Sequence, residues 1–200
     1  FDSGAQYYDG TTDLTRTICI GTPSIEQKDR FTRVLKGHIA VATAKFNKNS
    51  KGWSLDRLAR KSLQEIGYDY GHGTGHGVGS FLSVHEGPQS ITKKNNSSKI
   101  GIKEGMILSN EPGFYKKNQY GVRIENLMTV HKKNKNILFF KTISLVPIDI
   151  DLIKIELLTK NEIAWINKYH NKVYKTLARK IDPQESKWLK EVTKPIKKNN

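Results

Sequence analysis

The sequence is poor in cysteine, in acidic residues and in long apolar runs, and each shortage excludes something. Cys19 is the only cysteine in 200 residues. It excludes an intrachain disulfide and a zinc site built on several thiolates, and it suits a reducing compartment. No apolar stretch approaches the roughly 18 residues of a membrane-spanning helix, so no membrane partner is expected. The opening Phe1-Asp2-Ser3-Gly4 carries neither the basic nor the apolar stretch of a secretory signal. It also lacks an initiator methionine and opens in a strand-like segment, so a piece of a longer polypeptide is expected. Asp and Glu together number 19 against 34 Lys and Arg, a net charge of +15.

That positive charge is scattered. Many lysines stand beside asparagines, in Lys93-Lys94-Asn95-Asn96, Lys132-Lys133-Asn134-Lys135-Asn136 and Lys197-Lys198-Asn199-Asn200. The pattern reads as solvated loops and a tail. No base-reading motif accompanies it, and no nucleic-acid partner is expected.

What is present reads as an α+β chain with strands and helices grouped, without internal repeats. Residues 1–20 read as strand and turn, with Asp9-Gly10 as the turn. Ser24 and Gln27 form a capping box for a helix whose apolar positions run from Phe31 to Phe46. Ser54 is expected to cap a second helix that Gly67 ends. Five glycines within residues 71–80 exclude a stable helix there. Strands are expected within 105–130, where Val122 and Ile124 alternate with Arg123 and Glu125, and over 137–146. Thr159 with Glu162, and Asp182-Pro183 with Glu185, open two closing helices. His38 reads as a packing or hydrogen-bonding residue within a helix, and His131 and His170 as surface residues.

In so basic a chain the placement of carboxylates is informative. Asp2 and Asp13 flank the first strand pair, His76 lies in the glycine stretch, Glu111 precedes Pro112-Gly113, and Glu125 follows Arg123-Ile124. Each alone is an ordinary turn, cap or strand-surface residue. Together, four carboxylates and an imidazole make an oxygen-rich set for two divalent ions such as Mn²⁺, Co²⁺ or Fe²⁺.

The motifs Asp2-Ser3-Gly4-Ala5-Gln6-Tyr7, Asp9 to Thr17, His72-Gly73-Thr74-Gly75-His76-Gly77-Val78-Gly79, Val84-His85-Glu86-Gly87-Pro88, Asn110-Glu111-Pro112-Gly113 and Gly121-Val122-Arg123-Ile124-Glu125-Asn126 occur in that order. Nearly end to end, the chain resembles cytosolic eukaryotic aminopeptidase P, the Xaa-Pro aminopeptidases. The resemblance implies the pita-bread fold shared with prolidase and methionine aminopeptidase. It implies removal of the N-terminal residue from peptides with proline in second place. It implies two Mn²⁺ (Co²⁺, Fe²⁺ or Zn²⁺ as substitutes) held by Asp2, Asp13, His76, Glu111 and Glu125, with Asp13 and Glu125 bridging. Glu111 would also serve as general base, His85 would stabilise the carbonyl oxygen, and His72 would line the proline pocket. Arg123 shares strand parity with Glu125 and is expected to orient ligand carboxylates. The glycines of 71–79 are expected to let backbone pass close to metal and substrate.

Relatives of this kind are longer, cytoplasmic and homodimeric. Residues 1–150 are therefore expected to form the metal-binding part of a catalytic domain, and residues 151–200 its C-terminal helical extension. The domain's first half would lie elsewhere in the polypeptide and act as a partner for an exposed apolar face and an unpaired sheet edge. Prolidase, methionine aminopeptidase and a non-catalytic binding module of the same fold stay open as alternatives. The full set of ligand residue types argues against the last.

Overall fold

The computed structural model describes residues 1–80, 83–93 and 99–198. Parts of two lysine-asparagine segments, Lys94, Asn95, Asn96, Asn199 and Asn200, lie outside the described residues. The third, at 132–136, is exposed throughout.

The chain opens in an antiparallel hairpin of β1 (Asp2–Tyr7) and β2 (Gly10–Thr15), turned at Tyr8-Asp9. All of β1 is exposed, and among the described residues it pairs with β2 alone. α1 (Ile25–Ala42) starts at the Ser24 capping box and buries Phe31, Val34, Leu35, Ile39 and Val41 along one face. It is shorter than the apolar spacing suggested. Phe46 belongs instead to β3 (Lys45–Asn47), where it packs on Phe140.

α2 (Gly52–Gln64) begins one turn earlier than expected. Its N-cap is Lys51, and the Ser54 hydroxyl lies inside the first turn, donating to the Lys51 carbonyl at 2.7 Å. Gly67 closes the turn after it at φ +78°, a left-handed conformation that glycine adopts without strain. The glycine stretch contributes only the short β4 (Gly75–His76), paired with β5 (Ser90–Ile91).

β6 (Ile107–Asn110), β9 (Asn126–Lys132) and β10 (Ile137–Thr142) join β3 in one antiparallel sheet of order β3-β10-β9-β6. β7 (Gly113–Lys116) and β8 (Tyr120–Arg123) form a separate hairpin. The expected strand through Glu125 is thus broken after Arg123, and the last expected strand ends at Thr142 rather than Val146. α3 (Lys160–Leu177) and α4 (Pro183–Val192) follow a 3₁₀ turn at Ile155–Leu157, each with the anticipated capping box.

Two apolar clusters hold these layers. One gathers α1, the β7–β8 hairpin, α3 and α4 around Leu35, Val122, Ile124, Ile166 and Val173. The other lies between α1, α2 and the sheet around Val41, Leu55, Leu108, Met128 and Phe140. Trp165 of α3 packs against both. His170 corrects the sequence reading: it is fully buried, because it lies four residues past Ile166 and seven past Ile163 on the inward stripe of α3. Among the described residues, no helix is long and apolar enough to cross a membrane.

Candidate metal centre

A cleft of about 780 Å³ opens beside the first hairpin, and Asp2, Asp13, His72, His85, Glu111, Arg123 and Glu125 all line it. Strand register explains the first two. Gly4 stands opposite Asp13, and Asp2 lies two residues along on the same face of β1. His76 is fixed through β6. Its N–H donates to the Ser109 hydroxyl at 3.0 Å, and that hydroxyl donates to Glu111 Oε1 at 3.1 Å. This crossing demands glycine, since a Cβ on Gly75 would run into the Ser109 carbonyl oxygen and one on Gly77 into that of Glu86. Gly71 meets no such neighbour.

Four of the five expected ligands converge. Ligand atoms of Asp13, His76 and Glu125 all lie within 4.8 Å of one another. His76 Nε2 stands 3.4 Å from Asp13 Oδ2 and 3.1 Å from Glu111 Oε1. Asp2 faces the same cleft but is ion-paired with Arg123. His85 stacks at an angle beside His76, ring centroids 4.2 Å apart.

Arg123 and Glu125 reach this cleft despite the strand break, and both engage Thr15. The Thr15 hydroxyl donates to Glu125 Oε2 at 2.7 Å and accepts from Arg123 Nε at 3.1 Å. Arg123 Nη1 also donates to the Tyr115 hydroxyl at 3.2 Å, and that hydroxyl lies 2.8 Å from His72 Nε2. His72 Nδ1 faces the Gly73 carbonyl, so Nε2 accepts from Tyr115. Thr15, Ser109 and Tyr115 were not singled out by sequence reasoning. The available signal was parity: Thr15 shares a strand face with Asp13, and Tyr115 with Gly113.

The donor set fits divalent cations. His76 Nδ1 faces the Gly77 carbonyl at 2.9 Å, so in its neutral form the ring turns its Nε2 lone pair toward two carboxylates. His76 Nε2 and Glu125 Oε1 are buried without a hydrogen-bond partner among the described residues. Buried acceptors crowded in this way favour positive charge at their centre. Protons fill that role in part. Burial opposes charge on His76, but a protonated Nε2 would donate to the adjacent Asp13 and Glu111 carboxylates, and this overrides burial and raises the imidazole to about 10. Burial, and then the charges of Glu111, Asp13 and Asp2, push Glu125 up to about 8 against the pull of the Thr15 hydroxyl.

Residues 1–132 match the family model described as metallopeptidase family M24, and residues 136–196 match that for the C-terminal region of peptidase M24. Aminopeptidase P1 of Arabidopsis thaliana is 43% identical over 202 residues, covering 98% of this chain and 31% of the relative. Xaa-Pro aminopeptidase 1 of Dictyostelium discoideum is 45% identical over 204 residues, covering 98% and 32%. Among solved structures, X-prolyl aminopeptidase from Caenorhabditis elegans, described as a cytosolic enzyme with a di-nuclear active site, superposes with a TM-score of 0.91 at 44% identity. That match covers 98% of this chain and 33% of the other. Prolidase from Pyrococcus furiosus gives a TM-score of 0.61 at 33% identity, covering 70% and 39%. The chain spans about a third of the length of the curated relatives it matches.

Proposed function

This chain belongs to metallopeptidase family M24 and has its α+β pita-bread fold, and from that premise we propose that it is the metal-binding part of an Xaa-Pro aminopeptidase. The reaction is removal of the N-terminal residue from peptides with proline in second position. Asp2, Asp13, His76, Glu111 and Glu125 would hold two divalent cations, manganese being the metal expected of an oxygen-rich set. The observation that carries the reading is the convergence of Asp13, His76, Glu111 and Glu125 on one cleft, with His76 Nε2 and Glu125 Oε1 buried without a hydrogen-bond partner among the described residues.

Two cations bound there supply a nucleophilic water at neutral pH and an electrophilic pull on the scissile carbonyl. The protein's own groups do the rest. Glu111, steadied by Ser109, takes the proton released by the attacking water and delivers it to the proline nitrogen as the C–N bond breaks. The prolyl imide nitrogen carries no hydrogen, so this delivery is what lets it leave as an amine. His85 beside His76 donates to the carbonyl oxygen as its charge grows. His72, oriented by Tyr115 and Arg123, borders the space for the proline ring. The full-length protein is further proposed to be a cytoplasmic homodimer.

The test measures metal per chain in the full-length protein after Mn²⁺ loading, for wild type and Glu111→Gln, with hydrolysis of Arg-Pro-Pro, Gly-Pro and Met-Ala-Ser. Two metals in wild type, fewer in the variant, and release of arginine from Arg-Pro-Pro are expected. Cleavage of Gly-Pro alone would make it a prolidase, and of Met-Ala-Ser a methionine aminopeptidase. Absence of bound metal would overturn the reading.

A further inference from the structure

The proposed chemistry uses the tips of Glu111 and Glu125 and leaves a polar group buried directly behind them without a role. His38 of α1 is fully buried. Its Nδ1 lies 3.1 Å from the carbonyl oxygen of Asn110 and 3.1 Å from that of Ile124. Both partners are acceptors, so Nδ1 carries the proton and shares it between them. Asn110 and Ile124 immediately precede Glu111 and Glu125. One N–H from a helix therefore grips the backbone of both carboxylates.

The other side of the ring is equally determined. His38 Nε2 accepts from the Asn126 side-chain amide at 3.1 Å. Arg16 Nη2 donates to the oxygen of that amide at 2.7 Å, so its nitrogen must face the imidazole. Asn110 closes the circuit by donating from its side chain to the His38 carbonyl at 2.9 Å. Donors and acceptors alternate around the circuit without conflict, which fixes one tautomer of a neutral ring.

Strand register shows what the grip does. β6 and β9 pair as far as Asn110 opposite Asn126. Glu111 and Glu125 stand one residue beyond that last rung. Their own N–H groups turn to different segments, Glu111 to the Thr74 carbonyl at 2.7 Å and Glu125 to the Thr15 carbonyl at 3.0 Å. The next direct link between the two stretches, from Ile124 N–H to the Pro112 carbonyl, is long at 3.4 Å. The separation of the two carboxylates is thus set where the ladder has ended, and His38 spans that gap.

We propose that His38 is a positioning residue that sets the spacing of Glu111 and Glu125 for retention of the second of two divalent cations. It rests on the two-cation reading above, and its test separates the two. Mn²⁺ binding to the metal-free full-length protein is measured by titration calorimetry for wild type, His38→Asn and His38→Gln. The thermal midpoint of each metal-free protein and the electron paramagnetic resonance signal of coupled Mn²⁺ pairs are recorded alongside. Asparagine places an amide nitrogen near the Nδ1 position and keeps the shared donor. Glutamine reaches past it, toward Asn126, and leaves both carbonyls without one.

Wild type is expected to take two ions. His38→Gln should keep the first and bind the second about 10–100-fold more weakly, with loss of the coupled-pair signal. His38→Asn should retain that signal and most of the affinity. The proposal fails if the two variants bind alike, whether both as wild type or both weakly. It fails equally if neither folds, since His38 would then act in folding. If wild type binds no cation, the two-cation reading itself fails, and His38 has nothing to position.

Discussion

Two buried imidazoles share the neighbourhood of Arg16, a cation that donates to Asn126, Tyr169 and several carbonyls. Burial, and then the Arg16 charge, hold His38 down to about 3 and His170 to about 4. Both values lie below the ordinary 6.5, so the unfolded chain binds more protons in between. Their contribution to stability is complete above pH 6.5 and is lost as pH falls toward 4 and then 3. His170 Nε2 accepts from the Ile148 N–H at 3.1 Å, and His170→Gln supplies an acceptor that does not titrate. Urea denaturation at pH 7 and pH 4.5 should show a smaller loss for the variant, by on the order of 2 kcal/mol. Glu125→Gln is a second test at this scale. It keeps an acceptor for Thr15 and removes a carboxyl that the fold holds protonated at neutral pH while the unfolded chain ionises it, so the metal-free protein should gain about 1–2 kcal/mol in denaturant unfolding at pH 7. Manganese content should fall at the same time.

The residues that meet in the cleft were readable in sequence because their short motifs are distinctive in order and composition. Their supporting hydroxyls were not. A serine, threonine or tyrosine on a strand always has local partners available, and nothing near Thr15 announces Glu125, more than a hundred positions away. His170 misled for a related reason: a polar type on an apolar helical stripe, whose acceptor role depends on a backbone N–H from another segment.

Among the elements, helix ends were the most readable feature, because a capping box is satisfied within four residues. Ser24–Gln27, Thr159–Glu162 and Asp182–Glu185 all form as their spacing requires. Where no side chain caps, as at Lys51, the start of α2 could not be read. Sheet order was unreadable, since the pairing of β3 with β10 joins residues that share no local pattern. The α1–α2 crossing depends on Gly37, where a Cβ would run into the Ala59 carbonyl oxygen. Gly37→Ala is expected to cost about 1–3 kcal/mol by forcing the helices apart, read as a lowered midpoint in thermal denaturation. It sits beside His38, so manganese affinity should fall with it.

For the whole molecule, the decisive feature is contrast. A chain of net charge +15 gathers four carboxylates into one cleft. Cations bound there would neutralise that crowded negative charge. Chelation of the loaded protein should lower its thermal midpoint. At free metal about a hundred times the dissociation constant, each ion adds about 2.7 kcal/mol, so the midpoint should track metal concentration. A midpoint indifferent to both chelator and added Mn²⁺ would remove the cluster from any role in stability.

The order in which the cleft's residues occur along the chain also dictates a history. Asp2 and Asp13 leave the ribosome on the β1–β2 hairpin long before Glu125 is made, at synthesis rates of about 5–20 residues per second. Until β9 has paired with β6, that hairpin has no carboxylate opposite it and no reason to hold an ion. Cation capture therefore belongs to the end of maturation, and a nascent chain stalled before residue 125 would present acidic strands with nothing to close upon.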